Sequence, residues 1–280
     1  MPILCRCASE APVEFQRPAL VIGHPGHELK VLGWMSEYKP HVYVITDGSG
    51  RHGVSRTSST SALLTLLGVP RGELLGPISD AEIYRAILKQ DIPVFLYLVD
   101  ELVESFLKHQ IDCVAGDAAE GFNPTHDLCR GLINAAVLVA KRTKGREIAN
   151  FEISLTEWEL GCPEPSHDDN CRHWVLDDQK LAWKIATAER YVELKDEVRR
   201  AIAQRGEGYF RTECLRSSAA RGWPHFEAGK PAYEIWGEQR VAAGQYQTVI
   251  RFKQDILPIL KAIRNYALHA TLAVPMVENK

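Results

Sequence analysis

Short runs of aliphatic and β-branched residues alternate with stretches of helical spacing through the first half of the chain. Residues 19–23 (ALVIG) and 42–46 (VYVIT) are apolar runs that end at Gly23 and at Asp47-Gly48, the profile of buried strands that stop at loops. Between them Leu29, Leu32 and Met35 fall three apart, which predicts a helix over 27–38. Leu63, Leu64, Leu66 and Leu67 predict another over 57–67. Ser79-Asp80-Ala81-Glu82 fits a capping box that starts a helix running to about Lys89. A helix over 94–108, a strand over 111–115 and a helix over 124–141 opened by Pro124 follow, then a strand over 151–155. Strand, helix, strand, helix is the pattern of a wound parallel sheet. Beyond it the texture changes: 156–174 reads as a long polar loop, and 177–204 and 247–268 read as long helices. The expected fold is therefore α/β, a mostly parallel sheet with a helical C-terminal part, with a core over 1–155 and a mainly helical part over 156–280 packed on it as one domain.

Composition narrows the function classes. Across 280 residues, 33 Lys+Arg and 36 Asp+Glu give a net charge of −3, with no basic block. Affinity for nucleic acid through counterion release needs clustered cations, so no nucleic-acid partner is expected. Hydrophobic residues at 45% and charged residues at 25% match an ordinary globular chain. The longest apolar stretches, 92–99 and 135–140, are far short of the roughly 20 residues of a membrane span. The first twenty residues show no basic leader followed by an apolar core, which predicts a cytoplasmic protein. Seven cysteines without regular spacing predict reduced thiols.

In a parallel sheet the loops at the carboxyl ends of the strands converge on one edge, where ligands bind. The first such loop carries His24-Pro25-Gly26-His27-Glu28, the second Asp47-Gly48-Ser49-Gly50-Arg51, and the third runs from Asp117 through Glu120 and Asn123 to His126. His24 and His27 are three apart across a turn into a helix, and His126 falls in the first turn of another. Three neutral nitrogens with one open position fit a catalytic zinc site, where the open position lowers the pKa of a water to about 7. Histidines beside glycine and proline in loops are also commonly plain exposed residues.

These loops resemble the LmbE-like, or PIG-L-like, family of zinc-dependent de-N-acetylases acting on N-acetylglucosamine conjugates. The family's first loop reads His-Pro-Asp-Asp-Glu, against His24-Pro25-Gly26-His27-Glu28 here. Its third commonly reads Gly-His-Pro-Asp-His, against Phe122-Asn123-Pro124-Thr125-His126 here. The resemblance spans about residues 19–141. It implies a Rossmann-like three-layer α/β/α sandwich, a Zn2+ held by His24, His27 in place of an aspartate, and His126, and a small amino-sugar or glycoconjugate substrate that loses an N-acetyl group. Two departures follow. The family's general base falls at Gly26, which has no side chain, and its oxyanion histidine falls at Asn123, whose amide can still donate.

A positioned general base contributes on the order of 10² to 10⁴ in rate. Replacement candidates are Asp117, Glu120, Asp47 and Glu28, in that order. Glu28 reads better as a carboxylate orienting a liganding imidazole, Asp47 equally well as a turn residue, and Asn123 equally well as a helix N-cap. Arg51 and Arg56 would suit a carboxylate or phosphate on the substrate. Cys162, His167, Asp168, Asp169, Cys171 and His173 match no structural zinc spacing and read as a substrate-facing flap or a disordered loop. The aromatic and ionic stretches 207–213 and 231–240 suit either sugar stacking or a latch between the helical half and the sheet. The alternatives to a de-N-acetylase are a glycan- or nucleotide-sugar-binding protein that has lost catalysis, and another zinc amidase or esterase on the same scaffold.

Overall fold

The computed structural model describes residues 15–50, 53–145, 147–156, 171–220, 222–226 and 229–270. In chain order its elements are β1 (Pro18–Ile22), a 3-10 turn (His27–Val31) running into α1 (Leu32–Tyr38), β2 (His41–Thr46), α2 (Thr57–Leu67), β3 (Arg71–Ile78), α3 (Asp80–Lys89), α4 (Ile92–Lys108), β4 (Cys113–Asp117), α5 (Pro124–Lys144) and β5 (Ala149–Ile153). There follow β6 (Cys171–Val175), α6 (Asp178–Glu189), α7 (Lys195–Arg205), β7 (Thr212–Ser217), α8 (Ala232–Ala242) and α9 (Leu257–His269).

The strands form one sheet in the order β3-β2-β1-β4-β5-β7-β6. The first five pair in parallel, and β7 runs antiparallel to both β5 and β6. Strands β1 and β4 are buried along their whole length, which is why they read as apolar runs without alternation. Successive side chains nevertheless part to opposite faces. Ala19, Val21, Tyr43 and Ile45 join α3, α4, α5 and α9 in one core, while Leu20, Ile22, Val42 and Val44 join α1 and α2 in the other. The result is the expected three-layer α/β/α sandwich. The order reverses between β1 and β4, and the crevice outside the carboxyl ends of strands at such a switch point is where this class of sheet binds ligands.

Several elements differ from the sequence reading, each for a physical reason. Strand β3 has a mixed burial pattern and holds Gly72, Gly76 and Pro77, which hides it. Gly72 is required there, since a Cβ would lie 2.3 Å from the Tyr43 ring. The predicted loop over 156–174 gives way to β6 from Cys171 onward, with residues 157–170 outside the described residues. Strand β7 has no clear apolar signature because one of its inward residues is Glu213. The helix expected over 177–204 is two helices, because the chain turns after α6 to bury Tyr191, whose hydroxyl meets Thr60 Oγ1 at 2.9 Å. Helix α9 begins at Leu257 after a π-helical turn over Phe252–Ile256 rather than at 247, with Pro258 in its first turn. The Ser79–Glu82 capping box is present as expected. Among the described residues, Cys113, Cys129, Cys171 and Cys214 are not joined in disulfides. Among the described residues no helix is long and apolar enough to cross a membrane.

Glu213 binds the later elements to the first layer. Its carboxylate accepts the backbone N–H groups of Gly33 and Trp34 at 2.8 Å each, at the start of α1, and Lys184 Nζ from α6 at 2.7 Å. An anion is favoured at a helix N-terminus, and the buried pair is closed on its other side by Lys184 donating to Lys30 O at 2.9 Å. Glu213→Ala leaves Lys184 charged and buried without its partner. It is expected to lower unfolding free energy by about 3–5 kcal/mol, read from the midpoint of a urea titration.

Candidate metal centre

Three loops meet at the switch point. Gly23 follows β1 and opens the turn that carries His24 and His27, Thr46 ends β2, and Asp117 ends β4. Helix α5 starts with Asn123 as its N-cap, the side chain accepting the Thr125 N–H at 2.8 Å, so its first turn aims His126 into the same crevice. The three imidazoles cluster edge to face, with ring centroids 5.4 Å apart for His24 and His27, 5.2 Å for His24 and His126, and 4.6 Å for His27 and His126.

Each of the first two histidines is backed by a carboxylate. His24 Nδ1 lies 2.7 Å from Thr46 Oγ1 and 3.1 Å from Asp80 Oδ1. The Thr46 hydroxyl donates to Gly23 O at 3.0 Å, so its oxygen accepts from the ring. Nδ1 of His24 therefore carries the hydrogen, and Nε2, buried and with no hydrogen-bond partner, presents its lone pair. Burial alone would raise the Asp80 carboxyl, but the His24 hydrogen bond and charge and the Gly50 N–H hold it well below the ordinary carboxylate range. His27 Nδ1 lies 2.9 Å from Asp117 Oδ2, which also accepts the Gly23 N–H at 2.7 Å. Asp117 is fully buried and its Oδ1 has no hydrogen-bond partner. His126 is held well below the ordinary histidine pKa by its burial and by the neighbouring His27 and His24, so it is a neutral ring at neutral pH.

Each of His27, Asp117 and His126 offers one ligand atom, all within 4.8 Å of one another; this is the single such cluster among the described residues. His24 stands just beside it. Imidazole nitrogens and a carboxylate oxygen are the donor set that zinc accepts. Orphaned lone pairs with carboxylates behind the rings are how metal-binding histidines are held. The side chains present therefore fit a metal.

The other predicted residues lie in different settings. Glu120 is spent on the neighbouring loop: its carboxylate accepts Ser154 Oγ at 2.5 Å and the N–H groups of Leu155 and Thr156 at 2.9 Å each. Asp47 Oδ1 accepts the N–H groups of Ser49 at 2.9 Å and Asp80 at 3.2 Å, the turn role open to it. Glu28 does not orient an imidazole. It is fully buried, accepts the Gly26 N–H at 2.6 Å and the Thr60 hydroxyl at 2.7 Å, and burial raises its pKa. Arg56 lines the crevice and donates through Nε to Gly48 O at 2.6 Å. Arg51 lies outside the described residues, as do Cys162, His167, Asp168 and Asp169, while Cys171 and His173 sit on β6. Stretch 231–240 behaves as a latch: the Tyr233 N–H donates to Gly121 O at 3.3 Å, and Glu234 accepts the Phe252 N–H at 2.7 Å. Asp80 is a site residue that the sequence reading places only in a capping box, because it follows β3, the strand that its own glycines and proline conceal.

No family model matches the sequence, and no curated protein matches it. The chain is similar to solved deacetylases. A zinc-inhibited form of teicoplanin deacetylase Orf2 shares 14% identity at a TM-score of 0.48, over 71% of this chain and 97% of that one. The A40926 pseudoaglycone deacetylase Dbv21 shares 18% at 0.48, over 72% and 96%. The conserved protein TT1542 from Thermus thermophilus shares 16% at 0.49, over 76% and 97%. Orf2, Dbv21 and TT1542 belong to the LmbE-like family that the loops resemble. A shared fold does not carry an activity across, so the chemistry has to be read from this chain's own side chains.

Gly26 is the clearest local departure. Its φ is +110°, a conformation that L side chains rarely adopt, and a Cβ there would lie 2.2 Å from Leu194 Cδ1. Leu194, in the turn before α7, thus fills the space into which a side chain at 26 would project. Gly26→Asp is expected to destabilise the fold by about 1–3 kcal/mol through backbone strain and overpacking. Adding Leu194→Ala should recover part of that loss, measured as a double-mutant cycle in urea.

Proposed function

We propose that the chain is a zinc-dependent hydrolase that removes an N-acetyl group from an amino-sugar conjugate. The observation that carries this reading is the convergence of His24, His27 and His126 at the switch point, with a bare Nε2 on His24 and carboxylates behind His24 and His27. Those three imidazoles would hold the ion, the set that the loop resemblance also implies. A bound zinc ion would supply a Lewis acid and a water acidified to near neutrality.

The protein's own groups do the rest. Asp80 and Thr46 keep the hydrogen of His24 on Nδ1 and so keep its Nε2 free. Asp117 does the same for His27 through Oδ2, and its free Oδ1 is the acceptor for the proton of the attacking water. Among the four carboxylates weighed as replacements for a base at position 26, Asp117 alone stands in the imidazole cluster. Asn123 uses its Oδ1 on the Thr125 N–H and an amide hydrogen on Tyr84, which leaves one amide N–H as a donor toward a developing oxyanion. Arg56, at the cavity wall, is placed for an anionic group on the conjugate.

Elemental analysis of the purified protein should find about one zinc per chain, lost in His126→Ala together with release of acid from N-acylated glucosamine conjugates. Zinc retained in His126→Ala would contradict the assignment. Asp117→Asn should keep the zinc and lower kcat on the order of 10²- to 10⁴-fold. Wild-type turnover in that variant would move the base elsewhere, and binding of the conjugate without turnover in the wild type would favour the binding-protein alternative.

A further inference from the structure

Helix α3 supports the site at two points one turn apart. Its capping box fixes where it starts, and Ile83, Ala86 and Ile87 bury one side of it, so its first two turns are a rigid mount for the side chains they carry. Residues at i and i+4 lie on the same face of a helix. Asp80 uses that face to reach His24 Nδ1 at 3.1 Å. Tyr84, the next residue along the same face, reaches the start of α5, where its phenol meets the side chains of Asn123 and Thr125. The orientation of the Asn123 carboxamide is defined, because Oδ1 accepts the Thr125 N–H at 2.8 Å and a flipped amide would set N–H against N–H. The nitrogen end is therefore the one that gives a hydrogen to the phenol. Burial and the charge of Asp80 push the Tyr84 phenol up to about 12, so it keeps its own hydrogen at neutral pH. Thr125 Oγ1 is buried and, among the described residues, has no partner but this phenol; it is the acceptor for that hydrogen, as a buried hydroxyl requires.

Capping α5 needs only Oδ1 of Asn123. The contact with Tyr84 adds nothing to the cap, but it fixes the plane of the carboxamide by its second end. With one amide hydrogen held, the direction of the other is set by the planar geometry of the group. A donor oriented in advance stabilises a developing charge far better than one that has to turn towards it during the reaction. Resting on the hydrolase reading above, we infer that Tyr84 is a positioning residue, which holds the Asn123 carboxamide so that its remaining N–H is aimed at the oxyanion formed from the acetyl carbonyl. One helix then backs both a metal-binding imidazole, through Asp80, and the oxyanion donor, through Tyr84.

Tyr84→Phe removes the hydroxyl and keeps the ring. In the zinc-loaded chain acting on N-acetylglucosamine conjugates it should lower kcat on the order of tenfold, short of the roughly 10²- to 10³-fold lost with an oxyanion donor itself, and leave KM and zinc content unchanged. Asn123→Ser, which keeps a capping oxygen and loses the amide, should lower kcat further, and adding Tyr84→Phe to it should cost nothing more. A wild-type kcat in Tyr84→Phe, or losses that multiply in the double variant, overturns the proposal. A second readout needs neither turnover nor metal. In a proton–nitrogen correlation spectrum of the full chain as purified, the Asn123 side-chain amide is the signal that disappears in Asn123→Ser. Tyr84→Phe should shift one of its two protons and speed that proton's exchange with water. An Asn123 amide signal unchanged by Tyr84→Phe overturns the proposal whatever the activity. A changed signal in a chain that releases no acetate upholds Tyr84 as the residue that orients Asn123 and contradicts only the hydrolase reading.

Discussion

The candidate site depends on one buried carboxylate. Asp117 sits at the carboxyl end of β4, fully buried, and its Oδ2 holds both the Gly23 backbone N–H and the His27 ring. A buried carboxylate is tolerable only when donors replace its lost water, and charge-assisted hydrogen bonds of this kind are about twice as strong as neutral ones. The contact therefore fixes the turn after β1 against β4, across the switch point of the sheet. Arg130 fixes the strand end itself. From inside α5 it donates through Nε to Asp117 O at 2.7 Å, and through Nη2 to Gly116 O at 2.7 Å and Phe151 O at 3.0 Å. His126, on the same helix, is thereby placed relative to the strand end that carries Asp117.

From that fixed point the second half of the chain takes on a chemical meaning. Glu213 and Lys184 hold β7 and α6 to the start of α1, and Tyr191 joins Thr60 and, through it, Glu28. The latter network reaches the Gly26 N–H and brings in the segment from which Leu194 covers Gly26. Where the loop pattern that the sequence resembles has a carboxylate, this chain has Gly26 with Leu194, in the turn before α7, packed over it.

The parts of this architecture visible in the sequence are those with local signatures. The wound sheet is legible in 19–23, 42–46 and 111–115, since fully buried parallel strands leave continuous apolar runs. The α3 start is legible in its capping box, and the three histidines in their placement after strands. What stays hidden depends on contacts distant in sequence. Strand β7 spends an inward position on Glu213, which makes sense only beside Lys184 and the α1 N-terminus. The break between α6 and α7 is set by Tyr191 reaching Thr60, and nothing in the charged pattern of 177–204 marks it. Glu28 looks like a partner for an imidazole because of its neighbours in sequence, whereas its buried carboxylate faces the backbone of Gly26. Asp80 is hidden because the strand before it is.

The central claim is that the three imidazoles, held by Asp80 and Asp117, form one metal site at the β1–β4 switch point. Its most direct test is anomalous diffraction at the zinc edge from crystals of the zinc-equilibrated protein. The expected result is a strong peak at about 2.0–2.1 Å from an imidazole nitrogen of each of His24, His27 and His126. A strong peak elsewhere on the chain, or none at the histidines under saturating zinc, would contradict it.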